Sequence, residues 1–260
     1  MIKILKIYKE GIKTSLASRM AYRGDFLFSF FIMLAVELLT PFITILIYAN
    51  GASFPGWNIY EVLLIQGIFL LSRGISFPFF FGMVWNVIGR VREGTLDLLY
   101  IKPRSILFLS IITGFDSEDL GKLLGGIFIF TVAITHVTIP SFMNIIQFIF
   151  IFVISLLIHF GFAMIMAGLG IIWVGNFRVY DIFFSLTNFG MYPGSIFSKS
   201  LQTVITMIIP VALLGFVPAS VLLGRPTVNI FLVIVTSLVF ISLSYCFWRL
   251  MHRRYTSAGG

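Results

Sequence analysis

The chain has 260 residues, 59% hydrophobic and only 11% charged, with 30 Phe. A soluble core of this size could not hide so much apolar surface, so an integral membrane protein is implied and a soluble domain excluded. The formal charge of +8 would suggest nucleic acid in a soluble protein, but here most Lys and Arg flank hydrophobic blocks, which is a membrane topology signal, and no nucleic-acid partner is expected.

The apolar material comes in blocks of about 18 or more residues, the length that crosses roughly 30 Å of hydrocarbon as a helix. Ten-residue alternating strands are not the pattern, so the fold class predicted is all-α, polytopic, with six transmembrane helices in one domain spanning 1–260. A single cysteine, Cys246, excludes an internal disulfide and a Cys-based metal cluster. No short apolar core with a small-residue cleavage site opens the chain, so the first span is expected to serve as its own insertion signal.

Residues 1–24 place Met1, Leu5, Tyr8, Ile12 and Leu16 on one side and Lys3, Lys6, Glu10 and Lys13 on the other. That spacing describes an amphipathic helix lying in the interface, with an ordinary basic flank of the first span as the alternative. Span one, 26–49, ends in the turn-rich Asn50-Gly51-Ala52-Ser53-Phe54-Pro55-Gly56-Trp57, which has no Lys or Arg and reads as external. Span two, 59–89, contains Pro78, which should kink it, and its length of ~46 Å at 1.5 Å per residue exceeds the hydrocarbon thickness.

A charged island follows: Arg90-Val91-Arg92-Glu93-Gly94-Thr95-Leu96-Asp97-Leu98-Leu99-Tyr100-Ile101-Lys102-Pro103-Arg104. Thr95 is expected to cap a short helix, Leu96, Leu98, Leu99 and Ile101 to form its apolar side, and Pro103 to set its far limit. The cytoplasmic loop spans 90–114. Asp116-Ser117-Glu118-Asp119 then puts acids at the start of span three, 120–137, where the helix dipole favours them.

After an uncharged turn around Pro140, span four covers 144–174 and carries Gly161, Ala163, Ala167, Gly168 and Gly170, small residues suited to close helix packing in lipid. Span five is read as 179–197. Beyond it, residues 198–224 are broken by Lys199, Pro210, Gly215, Pro218 and Gly224, and irregular backbone at membrane depth survives only under cover of protein or water. A broken fifth span running on to Leu223 is one way to build that segment. Span six, 228–250, leads into Arg249, His252, Arg253 and Arg254. Of 18 basic residues, six precede span one, five lie in or beside the central loop, one is Arg178 and three are C-terminal, so 15 agree with both termini in the cytoplasm.

Glu37 and Arg73 are charges deep inside spans one and two, at about 18 and 21 Å from the outer ends of their helices. Two lone charges near the midplane would each cost on the order of 3 kcal/mol or more, so mutual pairing is the simplest expectation, with lining or gating of a substrate path as a second reading. Gln66 lies close enough in sequence to join them. The three histidines, His136, His159 and His252, show no paired ligand spacing, and no metal site is expected.

No nucleotide-hydrolysing motif is found. In Gly114-Phe115-Asp116-Ser117-Glu118-Asp119-Leu120-Gly121-Lys122-Leu123 a phosphate loop would need glycine at 116 and Ser or Thr at 123. Neither a Gly-x-Ser-x-Gly elbow nor a His-Glu-x-x-His helix occurs, so no catalytic residues are assigned and the chain is not expected to be an enzyme or to hold a cofactor.

The run Glu93-Gly94-Thr95-Leu96-Asp97-Leu98-Leu99 followed by Lys102-Pro103 resembles the first intracellular loop of ABC-2 family transporter permeases. Tyr192-Pro193-Gly194-Ser195-Ile196-Phe197, Ile209-Pro210-Val211 and Val217-Pro218-Ala219 are similar to the final third of the same subfamily. The resemblance implies an exporter permease in the cytoplasmic (inner) membrane, paired with a second identical or related permease and driven by a separate ATPase subunit that binds ATP and Mg. It implies that 198–224 is a re-entrant hairpin and that the loop meets the ATPase through Glu93, Gly94, Thr95, Leu96, Asp97, Leu98, Leu99, Lys102 and Arg104. It selects no substrate among drugs, peptides, lipids and glycans. An ion- or proton-coupled secondary transporter would need a titratable relay, of which Glu37 and Arg73 are the only deep charges, and a membrane scaffold or channel would not need a structured charged loop.

Overall fold

The computed structural model describes residues 2–138, 140–173 and 178–256, which form helices and turns with no strand among the described residues. Four helices are long and apolar enough to cross a membrane: Arg23–Ala49 (α2), Ile59–Arg92, Phe142–Ile172 (α8) and Ile230–Arg253 (α12). Leu120–Ile134 (α7) is apolar but has only 15 residues.

The bundle is arranged around the second of these. Ile59–Arg92 consists of α3 (Ile59–Ser76), one π-helical turn at Phe77–Phe81 and α4 (Met83–Arg92), a 34-residue rod of roughly 51 Å. The sequence places a kink at Pro78; the helix widens by one residue there into the π turn, and Gly82 N–H bonds to Phe77 O five residues back. Proline has no N–H to give to the turn before it and its ring crowds that carbonyl, and a π turn relieves both. The rod also runs three residues past the expected end at 89.

Thirteen residues of α3 are buried, including Leu63 through Leu70 without a break. By contrast α2 buries only Glu37, Pro41 and Thr44, a single stripe at steps of four and three, and exposes Phe28, Phe31, Val36, Leu39, Phe42 and Ile43. A helix polar along its inner stripe and apolar around the rest is built for lipid outside and protein inside.

The closest helix pair is α3 with α7, and glycine makes it possible. A Cβ at Gly74 would lie 2.4 Å from Leu123 Cα, one at Gly67 2.7 Å from Phe130 N, and one at Gly126 2.6 Å from Leu71 N. Without a hydrophobic driving force between helices in lipid, such backbone contact is a main source of association. The small residues of α8 also meet protein, Gly161 and Gly168 facing Phe240 and Phe247 of α12 and Gly170 facing Ile88 of α4.

Ile2–Met20 (α1) is a separate helix whose side chains at Tyr8, Gly11, Ile12, Ser15 and Leu16 turn inward. It is fastened to the carbonyls displaced by the π turn and by the following chain: Tyr8 OH donates to Phe79 O at 2.6 Å and Ser15 Oγ to Phe115 O at 2.9 Å. Asp116 N–H donates to Pro78 O at 3.1 Å from the other side.

The fifth span read at 179–197 is helical only over Arg178–Thr187 (α9), after which the backbone tightens into 3-10 turns at Asn188–Met191 and Gly194–Ile196. The expected end of span four at 174 lies outside the described residues. From Lys199 the chain forms α10 (Lys199–Thr203), a π turn at Val204–Ile208, a 3-10 turn at Val211–Leu214 and α11 (Phe216–Leu222). Every residue from Val211 to Leu214 and from Phe216 to Leu222 is buried, so this irregular segment is covered by protein, against α3 and α8.

Candidate functional site

Two groups of residues stand out, one inside the bundle and one at the end that carries the charged island.

Inside, Arg73 Nη2 lies 3.1 Å from Glu37 Oε1, joining α3 to α2, and their side chains are 13% and 4% exposed. The guanidinium is enclosed by aromatic faces, with its carbon 5.6, 5.2 and 5.3 Å from the ring centres of Phe69, Phe77 and Phe184. Lys122 also meets this ring, its ammonium 4.3 Å from the centre of Phe77 and 2.5 Å from Asp119 Oδ1. Two acids and two bases therefore form a neutral group around one phenylalanine. That balance matters because a desolvated charge is tolerated only when paired.

In the sequence Lys122 stands among the cations flanking the loop and Asp119 among the acids that suit the helix dipole. The structure turns both inward, and Asp119 makes no side-chain cap bond to α7. Nothing in the linear spacing signals this, because the two meet Arg73's aromatic surroundings only through the glycine seam between α3 and α7. Gln66 does not reach Glu37: its Nε2 donates to Thr44 Oγ1 at 2.7 Å, one further link between α3 and α2. His159 is fully buried on α8, with Nδ1 2.9 Å from Ser72 Oγ. Among the described residues, no three His, Cys, Asp or Glu converge as a metal set.

At the island, α4 ends in a glycine motif. Gly94 has φ of 67°, its N–H bonds to Val91 O at 3.2 Å, and Thr95 N–H reaches back to Arg90 O at 2.8 Å. This pair of bonds satisfies the last carbonyls of a helix and needs a left-handed residue, which glycine adopts freely. The expectation that Thr95 caps the next helix is corrected accordingly. Thr95 belongs to the stop signal of α4, and Asp97–Tyr100 (α5) begins two residues later, preceded by Leu96 in helical conformation with no side-chain cap.

The apolar side expected of this helix is also corrected. Leu96 and Leu99 are fully buried in the chain's own core, whereas Leu98 and Ile101 are 52% and 79% exposed. A single turn of helix divides its leucines because residues three apart share a face while neighbours do not. Glu93, Lys102 and Arg104 are exposed beside them, and Asp97 is half-buried. Residues 105–114, read as loop, contain α6 (Ile106–Thr113), capped by Ser105.

The C-terminal end of α12 holds α5 in place, a contact that no local pattern in the sequence signals. Tyr100 OH is 2.5 Å from His252 Nδ1, and the Tyr100 and Tyr255 rings stack with centres 5.6 Å apart. Burial, then the nearby Tyr255 and the Asp97 carboxylate, push the Tyr100 hydroxyl up to about 12. The signal available was only the aromatic content of the tail, which lies more than 150 residues away in sequence.

A buried, balanced charge group among long apolar helices, joined by one rod to an exposed charged loop, defines a polytopic membrane protein with a buried polar site. The chain belongs to the ABC-2 transporter family: a family model described as ABC-2 family transporter protein matches residues 31–259. That family supplies the membrane component of ABC transporters, which work with an ABC ATPase. No curated protein and no solved structure gives a match.

Proposed function

We propose that this chain is the permease subunit of an ATP-driven exporter in the cytoplasmic (inner) membrane. It works with a second permease copy or a related permease and with a separate ATPase that binds ATP and Mg. The island end, with both termini, faces the cytoplasm. The six crossings consist of the four long helices, α7, and the α9 segment with its 3-10 continuation, and 198–224 enters from outside as a re-entrant hairpin.

The observation that carries this reading is the divided loop helix. Leu96 and Leu99 anchor α5 to the bundle, while Leu98 and Ile101 stand exposed among Glu93, Lys102 and Arg104. An apolar pair in a ring of both charge signs suits a groove on a partner, where the leucine and isoleucine contribute burial and the charges orientation. From that contact, α4 and α3 form one continuous rod to Arg73, so displacement of the loop is transmitted mechanically to the buried charges. The alternative in which the helix rests on the lipid surface would bury the same two side chains in headgroups.

The test separates partner contact from folding. Leu98→Asp with Ile101→Asp, both exposed, should leave expression and thermal stability unchanged yet abolish co-purification of the ATPase and substrate-stimulated ATP hydrolysis. Retention of both activities in the double variant would remove this loop from the coupling path. Leu96→Asp is the contrasting control and should unfold the loop end, because it puts a carboxylate into the core.

A further inference from the structure

At the end opposite the island, the chain forms an open-sided cavity of about 530 Å³, within the range of small-ligand sites. Its frame is rigid. Asn58 caps α3 in a reciprocal arrangement with Glu61, and Glu61 Oε1 holds Arg225 Nη2 at 2.9 Å. Arg225 is delivered by the same kind of helix stop as Gly94, with Gly224 at φ of 71° and Arg225 N–H bonded to Ser220 O at 2.8 Å. Trp57 packs its ring edge to face with Phe216 at 5.7 Å and donates Nε1–H to Ser195 Oγ at 3.1 Å, so the wall on this side has its polar atoms satisfied.

Two other lining residues are not satisfied in this way. Lys199 on α10 lines the cavity and has no acidic partner among the described residues, whereas the neighbouring cation Arg225 is already neutralised by Glu61. Thr206, in the π turn, lines the same cavity, is only 8% exposed, and its hydroxyl makes no hydrogen bond among the described residues. No aspartate or glutamate lines the space; Ile205, Met207, Phe216 and Val228 supply apolar wall, and Gln202, Thr203 and Thr227 add neutral polar groups. An ammonium without an acidic partner and a hydroxyl without a hydrogen bond, in a pocket with apolar wall, match an anionic phosphate head joined to an alkyl chain. A bare anion would leave the apolar walls wet, and a neutral chain would leave the Thr206 hydroxyl without a partner. Trp57 at the rim is the residue type that favours headgroup depth.

We propose that this cavity seats the phosphate head of an anionic phospholipid taken from the surrounding bilayer, with Lys199 and Thr206 binding the phosphate and the apolar wall taking the upper part of one chain. The site requires neither the ATPase nor a direction of transport, so its test uses the purified chain alone.

The experiment titrates the detergent-solubilised protein with dihexanoyl phosphatidylglycerol, dihexanoyl phosphatidylcholine and inorganic phosphate, reading bound ligand by native mass spectrometry. Phosphatidylglycerol should bind about tenfold more tightly than phosphatidylcholine, ~1.4 kcal/mol. Lys199→Gln should erase that preference, Lys199→Arg should keep it, and Thr206→Val should weaken both lipids severalfold, because each carries the phosphate that the hydroxyl binds. Because Lys199 is exposed on a short helix, its replacement does not threaten the fold. Equal binding of the two lipids, or a preference that survives in Lys199→Gln, overturns the proposal. Competition by inorganic phosphate at the concentrations where phosphatidylglycerol binds also overturns it, since the site would then take a soluble anion.

Discussion

Replacing Arg73 should be more damaging than replacing Glu37, although the two charges form one pair. At 3.1 Å the gross attraction is about 5 kcal/mol for an effective dielectric near 20. Removing one partner leaves the other buried and uncompensated, at a cost of ~3–5 kcal/mol. The two survivors differ in what remains around them. After Glu37→Gln, the guanidinium keeps the faces of Phe69, Phe77 and Phe184, each contributing about 0.5–2 kcal/mol to a desolvated cation. After Arg73→Gln, the carboxylate has no other ion pair or hydrogen bond among the described residues. Unfolding titrations of the purified chain in mixed micelles should therefore rank wild type, Glu37→Gln, Arg73→Gln in falling stability, the last two separated by ~1–2 kcal/mol. The double variant should be more stable than the sum of the single losses allows by ~2–3 kcal/mol. A cycle additive to within ~0.5 kcal/mol, or Glu37→Gln falling below Arg73→Gln, would refute the pairing argument.

Other outcomes follow from the same geometry. Gly74→Ala forces a methyl against the Leu123 backbone and should destabilise by ~1–3 kcal/mol, whereas Gly89→Ala, with open space around its Cβ, should be neutral or gain up to ~1 kcal/mol; thermal melts in detergent distinguish them. Tyr100 has its folded-state pKa raised from 10.0 to about 12, so its neutral form is favoured on folding; stability is complete below pH 10 and is lost as pH rises through 12. Tyr100→Phe should flatten that alkaline decline, as measured by melts at stepped pH, and an unchanged slope would remove Tyr100 from it. For topology, cysteine at Ser53 or Ser141 should label from outside and at Ser105 only after permeabilisation, in a background lacking Cys246; external labelling at Ser105 would invert the assigned orientation.

Much of the architecture was legible because lipid constrains sequence severely. Long apolar blocks must be helices, and basic residues must gather at one side, so α2, the Ile59–Arg92 rod, α8 and α12 can be read from hydropathy alone. The acid and base on adjacent spans were visible for the same reason, since a lone charge at that depth stands out against its neighbours. The details at helix ends were harder. Thr95 has the chemistry of a cap, but Gly94 before it had already committed the backbone to a left-handed stop, and the two signals compete for the same residues.

The sequence by itself determined that this is an all-helical membrane chain of the ABC-2 type, with a charged loop and two deep charges, because each of those properties is local to a segment and its solvent. Tertiary structure decided what the segments do to one another. It drew Asp119 and Lys122 into the charge group through backbone contact between α3 and α7, turned Leu96 and Leu99 inward while leaving Leu98 and Ile101 exposed, and stacked Tyr100 on Tyr255 from the far end of the chain. The reason is that burial depends on what packs against a residue, and in this bundle those partners are set by glycine contacts and side-chain shape between segments, neither of which leaves a periodicity in the sequence.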